Sequence, residues 1–86
     1  VLRINLPPLS QERREQLIHL MKQKLENGRI MVRQSRQDAM HEIKKNEELS
    51  EDETTRLEKE VQKITDDIME QIDGIGKQKE QELLQM

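Results

Sequence analysis

A chain of 86 residues with 31% apolar residues, no aromatics and 38% charged residues cannot assemble a conventional globular core. The lack of cysteine removes disulfide frameworks, cysteine nucleophiles and the usual zinc sites. A net charge of −3 hides a segregation: residues 11–46 carry nine basic against five acidic side chains, and residues 50–86 carry five against eleven. The apolar spacing is too regular for disorder, and Glu, Lys, Gln, Leu, Ile and Met dominate, so the expected class is all-α and elongated. No apolar run nears the roughly 18 residues of a membrane span, and no signal peptide is visible, so no membrane association is expected.

Val1–Leu6 alternates apolar and polar residues as a short strand or extended tail does, but the rest of the chain offers no partner strand. Pro7-Pro8 fixes φ twice and keeps Leu6 and Pro7 out of the α region, so it reads as a stiff joint. Ser10 is a good N-cap for a helix from about Gln11, although Arg13 rather than Glu or Gln occupies the N3 position. Ile18, Leu25, Val32 and Ala39 recur at sevens, joined by Leu17, Met21, Gly28, Ser35 and Ile43, and make a heptad seam. Small residues at Gly28 and Ser35 would let another helix come close. The phase is unbroken across Asn27-Gly28, so one helix is predicted over about 11–45, roughly 50 Å long at 1.5 Å per residue. Within it Arg29, Arg33 and Arg36 stand at i, i+4 and i+7 and share a face with Lys22 beside the seam.

Asn46–Leu49 is a short connection that turns the next helix antiparallel. Ser50 and Glu53 form an S-x-x-E capping box, and Glu51, Asp52 and Glu53 load the first turn with negative charge. A second helix is therefore predicted over about 51–85. Its apolar residues repeat every eleven, as Leu57 and Ile68, as Val61, Ile72 and Leu83, and as Ile64, Ile75 and Met86. That period gives a nearly straight seam, which Lys79 interrupts. Gly74 and Gly76 cost about 2 kcal/mol in helix propensity, so the last three turns are expected to be weakest, with a kink there. A two-helix hairpin leaves outer apolar edges at Leu17, Met21, Met69 and Leu84 wet. The expected fold is thus a long antiparallel helical hairpin within a three-helix bundle, its third helix coming from a missing segment or a second copy. A chain that starts at Val1 rather than Met is expected to be a fragment or a processed form.

No phosphate-binding glycine loop, G-x-S-x-G, H-E-x-x-H or EF-hand loop occurs. Asp66 and Asp67 diverge by about 100° on a helix and read as a solvated face. His19 and His41 have no second ligand at helical spacing, and the methionines read as core filler. No enzymatic activity, metal or cofactor is expected. The arginine ridge is the candidate site, and it admits two readings. Its members flank the seam and pair with the acidic second helix, or their planar forks bind a phosphate backbone. Without aromatics, such a site would recognise nucleic acid by shape and backbone rather than by stacked bases. Periodicity alone does not separate the two.

Four blocks carry a resemblance: Leu6 to Arg14 (LPPLSQERR), Val32 to Ala39 (VRQSRQDA), Leu49 to Asp52 (LSED) and Val61 to Asp66 (VQKITD). In order and spacing the chain resembles the C-terminal half of the ribosome recycling factor family across all 86 residues. The resemblance implies an L-shaped protein in which a long three-helix bundle is joined by two hinge segments to a smaller β-rich domain. Val1–Leu6 would be a strand returning from that domain, Pro7 and Pro8 would lie at a hinge, and residues 10–86 would supply the second and third bundle helices. The family acts with elongation factor G to split ribosomes after termination, and binds ribosomal RNA of the large subunit, in the cytoplasm or in an organellar matrix or stroma. By this resemblance Arg33 and Arg36 are RNA contacts in the V-R-x-x-R-x-D-A block, and Arg29 matches another basic position. Gln37 stands where many members carry a further basic residue, and Asp38 and Ala39 are structural. A fragment of this kind is expected to self-associate as a dimer or helix-swapped assembly. The alternative is a structural coiled-coil or helical-hairpin interaction module, whose arginines only bridge to Glu58, Asp66 or Asp73.

Overall fold

The computed structural model describes residues 10–85. The expected extended segment Val1–Leu6, the Pro7-Pro8 joint and seam position Met86 lie outside the described residues. Two helices make up the fold, α1 over Gln11–Lys45 and α2 over Glu51–Leu84. Cross-helix partners run Lys22 to Glu80, Arg29 to Asp73 and Arg36 to Gln62, so the pair is antiparallel. The all-α hairpin expected from the sequence is what forms.

Local chemistry sets the ends of both helices. The Ser10 hydroxyl accepts the Arg13 backbone N–H at 3.1 Å, which satisfies one of the free donors of the first turn. At the other end of α1, Asn46 makes the turn: its side-chain oxygen accepts the Glu48 N–H at 3.0 Å and its carbonyl accepts the Leu49 N–H at 3.4 Å. Lys44 and Lys45 sit in the last turn, where the helix dipole favours positive charge. Ser50 then accepts the Glu53 N–H at 3.1 Å and donates its hydroxyl to the Glu53 carboxylate at 3.0 Å. The two side chains therefore close on each other, and the carboxylate bonds the cap's hydroxyl rather than its backbone N–H.

The eleven-residue period of α2 holds, but its contact face is not the centre of its apolar stripe. Thr65 and Gly76 are the buried residues of α2, and Thr54, Leu57, Glu58, Val61, Gln62, Met69, Ile72, Glu80 and Leu83 are half-buried around them. Thr54, Thr65 and Gly76 are spaced by eleven. With eleven residues in three turns, that line lies about 65° from the Leu57–Ile68 line. The rotation leaves Ile64 at 58% and Ile75 at 52% exposure, while Met69 turns inward to half-burial. Leu17 and Met21, expected to be wet, are likewise half-buried, and Leu84 is exposed as expected.

Small side chains explain the rotation. A Cβ built at Gly76 would stand 2.7 Å from Leu25 Cδ1, closer than carbon atoms tolerate, so the absent side chain leaves room for that terminal methyl in its present rotamer. Thr65 is bulkier, with a side chain the size of valine's, but its hydroxyl bonds the Val61 carbonyl at 2.8 Å, so it enters the contact with its polar atom already satisfied. Gly28, expected to provide the close approach, has open space where its Cβ would be. Ser35 is exposed. The close approach comes from α2, and α2 continues through Gly74 and Gly76 without a break.

No apolar side chain is fully buried among the described residues. Instead the hairpin has two unlike sides. One is an open apolar groove of two hollows, where Met31 of α1 faces Ile64 and Ile68 of α2 with Arg36 also lining the wall, and where Leu20 of α1 faces Ile75 of α2. The other is charged, with Lys22, Glu26 and Arg29 facing Asp73, Lys77 and Glu80.

The two α2 glycines should respond oppositely to substitution. Gly74→Ala, with open space around it, is expected to stabilise the hairpin by about 1 kcal/mol through helix propensity. Gly76→Leu is expected to cost about 1–3 kcal/mol through overpacking against Leu25. Urea unfolding followed by circular dichroism measures both, and a stabilising Gly76→Leu would show that the contact line is wrongly placed.

Candidate functional site

Arg29, Arg33 and Arg36 share a face of α1 as their spacing predicts, yet each guanidinium has a different partner. All three nitrogens of Arg29 are engaged. Its Nε and Nη2 donate to Asp73 Oδ1 on α2 at 3.2 and 2.7 Å, and its Nη1 donates to Glu26 Oε2 at 3.2 Å. Its side chain is only 24% exposed. Asp73, chiefly, and then Glu26 hold its pKa above the usual arginine value, against the opposing effect of desolvation.

Arg33 faces outward, with 55% of its side chain exposed. It donates Nη1 to Glu26 Oε1 at 3.1 Å, within its own helix. Glu26 therefore bridges two arginines through its two oxygens. Hydrogen bonds from Arg33 first, and from Arg29 second, draw its carboxyl below the usual glutamate range.

Arg36 is half-buried and reaches across to α2, where its Nε donates to the Gln62 side-chain oxygen at 2.7 Å. Among the described residues its Nη1 and Nη2 make no hydrogen bond, and neither do Nε and Nη2 of Arg33. Of the three acids expected as partners, Asp73 alone is reached directly, and by Arg29. The pairing reading thus describes Arg29, and it does not describe Arg36, whose cross-helix partner is a neutral amide. Lys22 joins the charged side through an exposed pair with Glu80 at 3.4 Å.

Glu26 and Gln62 are partners outside the three acids expected, although the spacing of each is legible in the sequence. Glu26 precedes Arg29 by three and Arg33 by seven, so it shares their face. Gln62 precedes Asp66 by four, at the spacing of a helical side-chain pair. What the sequence lacks is the rotation of α2 that brings Gln62 opposite Arg36.

Arg33 and Arg36 thus keep guanidinium N–H groups without a partner among the described residues. No group of three or more His, Cys, Asp and Glu among the described residues could hold a metal ion. No described helix is long and apolar enough to cross a membrane. His41 lines a shallow, open depression with Arg36, Lys44 and Glu58, all of it part of the charged side.

Comparison with known proteins adds an independent line. The sequence pattern of the family described as "Ribosome recycling factor" matches residues 1–84. The ribosome-recycling factor of Enterococcus faecalis is 46% identical over 89 aligned positions, covering 100% of this chain and 48% of that protein. That of Thermus thermophilus is 45% identical over 84 positions, covering 94% of this chain and 45% of that protein. That of Dehalococcoides mccartyi is 43% identical over 89 positions. The chain spans about half the length of the curated relatives it matches. No solved structure matches it.

The unequal partners separate the arginines by experiment. Arg29→Met removes the tie between helices and is expected to lower the thermal unfolding midpoint. Arg33→Met, which loses a partner only within α1, is expected to leave it nearly unchanged. Folding lowers the pKa of Glu26, so its stabilising contribution is complete above the ordinary glutamate range. That contribution is lost as pH falls through the depressed value. Glu26→Gln should therefore flatten this part of the acid-unfolding profile, and carboxyl-carbon NMR of Glu26 should show a midpoint below the ordinary glutamate range.

Proposed function

This chain belongs to the ribosome recycling factor family, and we propose that its hairpin supplies the RNA-contacting helices of a factor that disassembles the ribosome after termination. The proposed ligand is ribosomal RNA of the large subunit, and the proposed partner is the GTPase elongation factor G. The protein would act by binding rather than by catalysis, in the cytoplasm or in an organellar matrix or stroma.

The observation that carries this reading is the unequal use of three guanidinium groups. Arg29 has every nitrogen engaged and its charge paired across the helices with Asp73. Arg33 keeps Nε and Nη2, and Arg36 keeps Nη1 and Nη2, without a partner among the described residues and so suited to the oxygens of a phosphate. We assign Arg33 and Arg36 to RNA contact and Arg29 to tying the hairpin together beside them. The site contains no aromatic platform, in keeping with recognition of backbone and shape. A purely structural hairpin would use all three arginines as it uses Arg29, and the neutral partner of Arg36 speaks against that.

The apolar groove supports a second part of the proposal. Exposure of Met31 at 70%, together with Ile64 and Ile75, is what a bundle lacking one helix leaves behind. We propose that residues 10–86 form part of a three-helix bundle whose remaining helix covers this groove, and that residues 1–9, with Pro7 and Pro8, form a hinge toward a β-rich domain. A second copy of the chain would cover the same groove when the hairpin is studied alone.

In the full-length protein, changing Arg33 and Arg36 together to Ala is expected to weaken binding to purified large ribosomal subunits at least tenfold, with unchanged helicity. The slope of log affinity against log salt should also fall by about one to two units, because fewer counterions are released. Unaltered binding at physiological salt would remove RNA contact from these residues. The 86-residue chain alone is expected to sediment as a dimer or higher assembly, and a well-folded monomer would contradict the account of the groove.

A further inference from the structure

The Val61–Asp66 block lies on α2 beside the arginine face of α1. Val61 and Thr65 are accounted for by helix contact. Gln62 and Asp66 point to the charged side, where they form a chain of three groups. Arg36 Nε donates to Gln62 Oε1 at 2.7 Å, and Gln62 Nε2 donates to Asp66 Oδ1 at 2.8 Å.

Hydrogen-bond chemistry permits that chain in one sense only. A guanidinium is an obligate donor, and an ionised carboxylate is an obligate acceptor. A glutamine between them must turn its oxygen to the arginine and its amide N–H to the aspartate. Asp66 thereby fixes which end of Gln62 meets Arg36, at the i, i+4 spacing that keeps the two side chains adjacent on α2.

The molecule contains its own comparison. Arg29 meets a carboxylate, Asp73, which takes both Nε and Nη2 and neutralises the charge. Arg36 meets an amide, which takes Nε alone and leaves the positive charge and both terminal nitrogens available. We infer that Gln62, oriented by Asp66, is a positioning residue that holds Arg36 in readiness for an RNA phosphate without neutralising it. This rests on the reading of Arg36 as a phosphate ligand. Its physical effect is to order a long side chain before binding, so that less rotamer freedom is lost on contact.

Two measurements in the full-length protein test it. The first is affinity for purified large ribosomal subunits as a function of salt. Gln62→Ala should weaken binding about two- to tenfold, the cost of immobilising one long side chain. Its salt slope should not change, because the charge of Arg36 remains. Gln62→Glu should weaken binding further and lower the slope, since a carboxylate there would capture the guanidinium as Asp73 captures that of Arg29. A residue with a merely structural role would tolerate that ion pair or gain from it. The second is the Arg36 Nε–H resonance of the unbound protein, which should be protected from solvent exchange and lose protection in Gln62→Ala. If Arg36→Ala weakens binding while Gln62→Ala does not, the positioning role is overturned and RNA contact by Arg36 stands. If Arg36→Ala itself has no effect, both fall. An Arg36 Nε–H equally exchangeable with and without Gln62 would also overturn the positioning role.

Discussion

Close approach of the two helices at Gly76 and Thr65 is the constraint from which the other features follow. A helix pair of this composition has too few apolar residues to enclose a core, and none of its apolar side chains is fully buried. What remains is a narrow line of contact, and its direction is set by where α2 is thinnest. Leu25 enters the space that a Cβ on Gly76 would fill. A threonine whose hydroxyl is satisfied within its own helix occupies the same line one eleven-residue repeat earlier. Helices associate where their surfaces fit closely, because dispersion contacts and exclusion of water both fall off within about an ångström of separation.

Turning α2 onto that line has two consequences, one on each side of the hairpin. The apolar stripe is divided, with Val61, Ile72 and Leu83 touching α1 while Ile64 and Ile75 face the open groove. On the opposite side, Gln62 and Asp73 come level with Arg36 and Arg29. Three arginines equivalent in their spacing thereby become unequal in chemistry. One is consumed in an interhelical ion pair, one pairs only within its own helix, and one is held by a neutral amide through a single nitrogen. The proposed distinction between a structural and an RNA-binding arginine rests on these partners. The exposed pairs, Arg33 with Glu26 and Lys22 with Glu80, contribute little to stability in water and more to the placement of charge, whereas the half-buried Arg29 ties the two helices together.

Much of the fold was legible from local signals. Ser10, Ser50 and Glu53 mark helix starts, Asn46 marks the turn, and the continuous phase of Ile18, Leu25, Val32 and Ala39 carries one helix across Asn27-Gly28. These depend on interactions within a few residues, so sequence suffices. The role of the glycines was less accessible. Propensity marks Gly74 and Gly76 alike as costly, and Gly28 looks like the natural point of approach. A residue absent for space and a residue merely absent look identical until the opposing side chain is placed. Leu25, 51 positions from Gly76 in the chain, is what distinguishes them.

The sequence by itself determined the class, the two helix spans, the antiparallel return, the arginine face and, through its blocks, the family. All of these follow from spacing along one chain. Tertiary structure alone decided which line of α2 meets α1 and hence which apolar residues stay exposed. It also decided which arginine binds which partner, and so gave the Gln62 amide its place beside Arg36. An eleven-residue repeat offers several lines of similar composition, and periodicity ranks them by hydrophobicity. Physical contact ranks them by closeness of fit, and at Gly76 the two rankings differ.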